Sequence, residues 1–129
     1  MFVSSAGAAT VRHRTGLSSR VLLQAGDTPD AAIAVTWVDI QPGAEQHPHS
    51  HDPQQVYVII NGTGRMLVGD EERDVRVGDL VYVPSRALHG IVNTGTGMLS
   101  YVSSATPTFS ITDLYETGQL TQPPARDGC

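Results

Sequence analysis

The chain of 129 residues contains no lysine. Schiff-base chemistry on a side-chain amine is therefore excluded, and every basic side chain is an arginine or a histidine. There is one cysteine, Cys129. No intrachain disulfide can form, and a nucleophilic role is not expected of it, because a reactive thiol needs a held microenvironment and chain termini usually fray. The net charge is −5 and the arginines are scattered. Phosphate backbones need a concentrated basic surface, so no nucleic-acid partner is expected. No apolar run approaches the roughly 20 residues that cross a bilayer, so no membrane association is expected. Met1 to Thr10 lacks a charged segment followed by a long apolar run, and hence no signal peptide is expected. The expectation is a soluble, cytoplasmic protein. A Ser/His/Asp arrangement, a phosphate loop and a zinc ribbon are also missing.

What is present is a series of short β-prone runs. Hydrophobic residues make up 40% of the chain, enough for one domain with a core. Val11 to Gln24 carries two strand-like runs around Gly16. Ala31 to Ile40 is a strong strand, rich in β-branched and aromatic residues such as Ile33, Val35, Trp37 and Val38. Further runs cover 55–60, 64–68, 71–77, 80–83, 88–93 and 98–103. Turn pairs such as Asn61-Gly62, Gly69-Asp70 and Gly78-Asp79 separate them. Many short strands spaced by such turns predict an all-β barrel or jelly roll. The expected organisation is a flexible arm over residues 1–9, a barrel over 10–104, and a C-terminal segment over 105–129. That last segment is expected to hold a short helical turn, capped by Thr112 or Asp113, and a loose tail around Pro123-Pro124.

Four of the five histidines fall in two stretches that each read as strand, turn and strand. His47, His49 and His51 alternate, and His89 lies further on. Residues i and i+2 of a strand share a face. His49 and His51 would then stand about 7 Å apart at Cα, and two imidazoles can converge on one ion from there with bonds of about 2.1 Å. His47 has the same strand parity but lies about 10 Å from the midpoint of that pair in extended geometry. It is expected at the pocket mouth or as a general base rather than as a ligand.

Two sets of residues at fixed spacing carry a family resemblance. The first is Gly43, His49, His51, Gln55 and Gly62; the second is Gly78, Pro84, His89 and Asn93. Together they resemble the two motifs of the cupin superfamily. The resemblance implies a small single-domain cupin, a jelly-roll-like β-barrel of two antiparallel sheets. It implies one divalent transition metal (zinc, iron, nickel, manganese or copper, not distinguished) on His49, His51, His89 and Gln55. It also implies a homodimer, for which the Val11–Gln24 strands are the expected pairing edge. Two positions depart from the pattern. Gln55 stands where the family usually has a glutamate, and Arg86 where it usually has a glycine. Gln55 is either a ligand or a hydrogen-bonding neighbour of one. Arg86 is expected at the barrel rim, with an anchoring role for an anionic oxygen as the alternative.

Several side chains could line a pocket around the ion. Tyr57 and Ile59 share the parity of Gln55, and Ala87, Ile91 and Asn93 that of His89. Trp37, Tyr101, Met98 and Phe109 are further large candidates. Ile59, Ile91 and Met98 are expected in plain core packing, while Tyr57 and Trp37 stay open between core and pocket wall. Three imidazoles and an amide are neutral, so a divalent ion would keep its full charge and favour Lewis-acid chemistry. The expected function is a metal-dependent enzyme acting on a small carbonyl or polyphenolic compound, with His47 and Tyr57 as catalytic candidates. The resemblance is nearest to small cupin-type cyclases of aromatic polyketide biosynthesis. A non-haem dioxygenase and a small-molecule-binding cupin without turnover are the alternatives.

Overall fold

In the computed structural model, which describes residues 1–106, ten strands follow one another. They are β1 (Val11–Arg14), β2 (Leu17–Leu23), β3 (Ala34–Ile40), β4 (Glu45–His49), β5 (Gln54–Asn61), β6 (Thr63–Val68), β7 (Glu71–Arg76), β8 (Leu80–Val83), β9 (His89–Asn93) and β10 (Leu99–Thr106). All pairings are antiparallel. One sheet has six strands in the order β1-β2-β3-β10-β5-β8, and the other four in the order β4-β9-β6-β7. The expected all-β fold of two antiparallel sheets is what forms. The helical turn near Thr112 and the side chain of Phe109 lie outside the described residues.

Alternation decides which side chains go inside. On β3, Ala34, Thr36, Val38 and Ile40 are buried while the residues between them face outward. Leu17, Val38, Ile40, Ile59, Met66, Ile91 and Leu99 fill the apolar end of the interior. Each such side chain contributes about 1.5–3 kcal/mol by leaving water. Asn93 closes that end of the barrel. Its amide donates to the carbonyls of Ile40 and Gly97, both at 2.8 Å, and its oxygen accepts from the Gly95 N–H at 2.9 Å.

The β5–β6 hairpin turns at Asn61-Gly62. Gly62 has φ of 80°, and a Cβ there would run into the backbone carbonyl of Met98. Only glycine satisfies both conditions. Residues 1–10 carry no strand, but Ser4 Oγ donates to the Leu22 carbonyl at 2.7 Å and the Ala8 N–H to that of Ser5 at 3.2 Å.

Candidate metal centre

The end of the barrel opposite Asn93 is polar. β4 pairs with β9 through Glu45↔Val92, Gln46↔Ile91 and His49↔His89. Three steps along β4 match two along β9, so β4 carries a bulge at His47-Pro48. Pro48 has no N–H to give to a ladder, which suits that position. Gly90 lets the bulge in: a Cβ there would stand 2.8 Å from the Gln46 carbonyl oxygen and 3.0 Å from the Pro48 nitrogen.

The bulge corrects the expected placement of His47. Strict alternation puts His47 on the face of His49 and His51. The extra residue instead turns both Gln46 and His49 inward and leaves His47 outside. Its side chain is 50% exposed, 3.9 Å from the Glu45 carboxylate. Gln46, which the sequence reading passed over, is fully buried and accepts a hydrogen bond from the Tyr101 hydroxyl. The signal for it was Pro48, read as a bulge rather than as a strand residue.

His49, His51 and His89 come together as expected. All three are buried, and one ligand atom from each lies within 4.8 Å of the others. Ring centroids are 4.3 Å apart for His49–His89, 4.9 Å for His51–His89 and 5.7 Å for His49–His51. His51 sits in the loop between β4 and β5. The loop after β8 clamps it: the Arg86 N–H donates to the His51 carbonyl at 2.8 Å, and Ser85 Oγ to the Asp52 carbonyl at 2.6 Å. Arg86 adopts φ of 67°, a left-handed conformation natural to the glycine it replaces. Its guanidinium is exposed at the rim and bonds Asp52 at 2.8 Å.

One device orients all three rings. His49 Nδ1 lies 2.9 Å from the His47 carbonyl, His51 Nδ1 3.0 Å from that of Pro53, and His89 Nδ1 2.9 Å from that of Ala87. A carbonyl only accepts, so each Nδ1 carries the proton and each Nε2 keeps its lone pair. Protonation of the lone pairs is disfavoured as well. Burial, and then the neighbouring His49, push His89 down from 6.5 to about 3. Burial also lowers His51, against opposing hydrogen bonds from Pro53 and Gln55. Neutral imidazoles with inward lone pairs form the donor set a transition metal takes.

Gln55, on β5, is buried with Oε1 3.0 Å from His51 Nε2. Both atoms are acceptors once Nδ1 holds the imidazole proton. Two donors about 2.1 Å from one ion at right angles stand about 3.0 Å apart, so the contact suits two ligands of a shared cation. His89 Nε2 is buried without a hydrogen-bond partner, which a cation would resolve. The residues present therefore fit a divalent transition metal.

Beneath the histidines lies Tyr57, fully buried, with its ring edge-on to His89 at 6.1 Å and stacked on Tyr101 at 4.3 Å. Ile59 and Ile91 belong to the core, as expected. Met98 is 40% exposed. Trp37 faces outward from the sheet and donates from Nε1 to Asp39 at 3.0 Å, so it lines no pocket around the histidines. Where the two sheets part, between β7 and β8, a cleft of about 570 Å³ reaches the inward side chains of Met66, Val68 and Val81. Val68 is the register partner of His89.

The profile of the cupin domain family matches residues 36–104, just over half of the chain. A dimethylsulfoniopropionate lyase of Ruegeria pomeroyi is 25% identical over 79 residues, covering 61% of this chain and 52% of that protein. An uncharacterized protein of Methanocaldococcus jannaschii is 31% identical over 72 residues, covering 55% and 58%. The chain thus spans little more than half the length of these relatives. An oxalate decarboxylase variant of Bacillus subtilis superposes with a TM-score of 0.76 at 24% identity, over 86% of this chain and 30% of that one.

Proposed function

The chain belongs to the cupin family, and on that premise we propose that it is a metal-dependent enzyme acting on a small carbonyl or carboxylate compound. The observation that carries the proposal is the set of three Nδ1–carbonyl bonds, which leaves three Nε2 lone pairs directed together. His49, His51, His89 and Gln55 would hold the ion. When bound, a divalent cation on four neutral donors would supply Lewis acidity at full charge, for a carbonyl oxygen or an enolate.

The other side chains divide the remaining work. Tyr57 places a phenol below the histidines, where it holds or moves a proton. Its stacking on Tyr101, whose hydroxyl is tied to Gln46, fixes the plane of the ring. Ile59, Ile91 and Met66 keep water from the floor of the site. The cleft along Met66, Val68 and Val81 offers room for a small molecule, and one of its lining residues, Val68, is the register partner of His89. Two similar proteins are named for reactions on dimethylsulfoniopropionate and on oxalate. Both compounds are small carboxylates, which supports this substrate class. Cyclisation or isomerisation of an enolisable carbonyl, as in polyketide biosynthesis, falls within the same chemistry.

The test is a screen of small carboxylates, keto acids and polyphenols against metal-loaded protein, with and without oxygen. Turnover that survives anaerobic conditions and stops on chelation is expected. Turnover only with oxygen consumption would make the protein a dioxygenase. Stoichiometric binding of a compound without turnover would make it a binding protein.

A further inference from the structure

Two inward positions of β7 carry charge. Register partners on neighbouring antiparallel strands share a face. Met66 is buried between the sheets, so its partner Arg73 turns inward, as does Glu71 opposite Val68. Glu72 and Asp74 turn outward and pair with Arg65 at 3.7 and 3.0 Å. Arg73 makes no ion pair and no side-chain hydrogen bond among the described residues. It lines the cleft of about 570 Å³ between β7 and β8. Of the other residues along that cleft, Val68 is in register with His89 and Val81 with Tyr57. Both walls therefore run in register to the candidate site. From His89 to Arg73 is two strands across and two residues along, about 12 Å at Cα for roughly 4.8 Å per strand and 3.3 Å per residue. The imidazole shortens that gap from one side and the arginine from the other, which leaves the span of a small molecule.

We propose that Arg73 determines specificity: it holds a carboxylate of the substrate while the opposite end of the same molecule reaches the ion. The proposal rests on the metal-dependent reading of the site, and it narrows the substrates to acids with a carboxylate several bonds from the reacting group. A guanidinium presents a planar fork of donors that meets a carboxylate at two points. Met66, Val75 and Val81 beside it are apolar, and such walls strengthen a charge-assisted hydrogen bond. The acids of the cleft do not cancel this attraction. Glu72 is taken up by Arg65, and Asp79 accepts from the Arg76 N–H at 2.9 Å. Glu71 stands one row nearer the histidines, where it repels a carboxylate placed short of the arginine. An inward charge also keeps an edge strand from pairing with another chain. Either sign serves that end, whereas only a cation holds an acid.

Ligand selectivity separates the two roles. Zinc-loaded protein is titrated calorimetrically with succinate, glutarate and adipate, each against the monocarboxylate of equal chain length. At one or more lengths the diacid should bind roughly 10- to 100-fold tighter, the range of a hydrogen bond to a charged group. Arg73→Met should remove that preference, keep the zinc content and leave the monocarboxylate affinity unchanged. Arg73→Lys should restore part of the preference. Equal affinities at every length, or a preference that persists in folded Arg73→Met, overturns the role of Arg73 and leaves the metal site standing. Absence of any zinc-dependent acid binding removes the reading of the site itself, and the proposal with it.

Discussion

His49 and His89 are register partners across the β4–β9 ladder, and their rings stand 4.3 Å apart. The pairing of two edge-proximal strands therefore sets the separation of two candidate ligands. His51 joins them from a loop that Arg86 and Ser85 clamp.

Each ligand should be individually necessary. His49→Ala, His51→Ala and His89→Ala should each lower bound metal sharply by elemental analysis while circular dichroism still reports a β-barrel. Full metal content in any one of the three would remove that residue from the ligand set.

His47 should be dispensable for the ion. It lies outside the barrel, so His47→Ala should leave metal content unchanged and shift unfolding by no more than about 0.5 kcal/mol, as ordinary surface substitutions do. A large drop in bound metal would mean that the β4 bulge does not form as described.

Gln55→Glu tests the charge of the site. The carboxylate should keep or tighten metal binding, because it is the stronger ligand. Turnover should slow, since part of the positive charge is neutralised. Loss of a whole electrostatic partner costs about 100-fold or more, and partial neutralisation should cost less. Unchanged turnover, or faster oxygen consumption, would shift the reading toward a dioxygenase.

Acid should destabilise the metal-free protein. His89 is pushed down to about 3 from 6.5, and His51 is lowered as well. Between those limits the unfolded chain binds protons that the folded chain does not. Stability should be flat above about pH 7 and fall as pH drops through 6.5, by up to about 1.4 kcal/mol per unit for each such group. Urea midpoints in the presence of a chelator at several pH values check the sign. A midpoint that rises on acidification would contradict it.

Gly90→Ala should disturb both ladder and site. The added methyl would meet backbone at 2.8 and 3.0 Å, which side-chain motion cannot relieve. A loss of about 1–3 kcal/mol is expected, together with weaker metal binding. Calorimetry and a metal-competition titration report the two effects separately.

Much of this was legible in the sequence. Turn pairs such as Asn61-Gly62 and Gly78-Asp79 fixed where strands end, because their backbone demands are local. The grouping of His49, His51 and His89 followed from spacing and resemblance. His47 was misplaced and Gln46 was passed over because a bulge reverses parity, and parity is all that alternation can report. Trp37 was open between pocket and core since an aromatic residue in a strand looks alike on either face. The Nδ1 bonds were invisible because their acceptors are backbone atoms, and backbone carbonyls have no letter in a sequence.

That last feature has a consequence for how the centre tolerates change. In many metal sites a neighbouring carboxylate holds the histidine, and one base change in the gene can remove it. Here the supports at positions 47, 53 and 87 are peptide carbonyls. Any residue at those three places supplies the same acceptor, provided the chain follows the same path. The orientation of the imidazoles is thus inherited from the course of the backbone, and the side chains at those positions are left free to diverge.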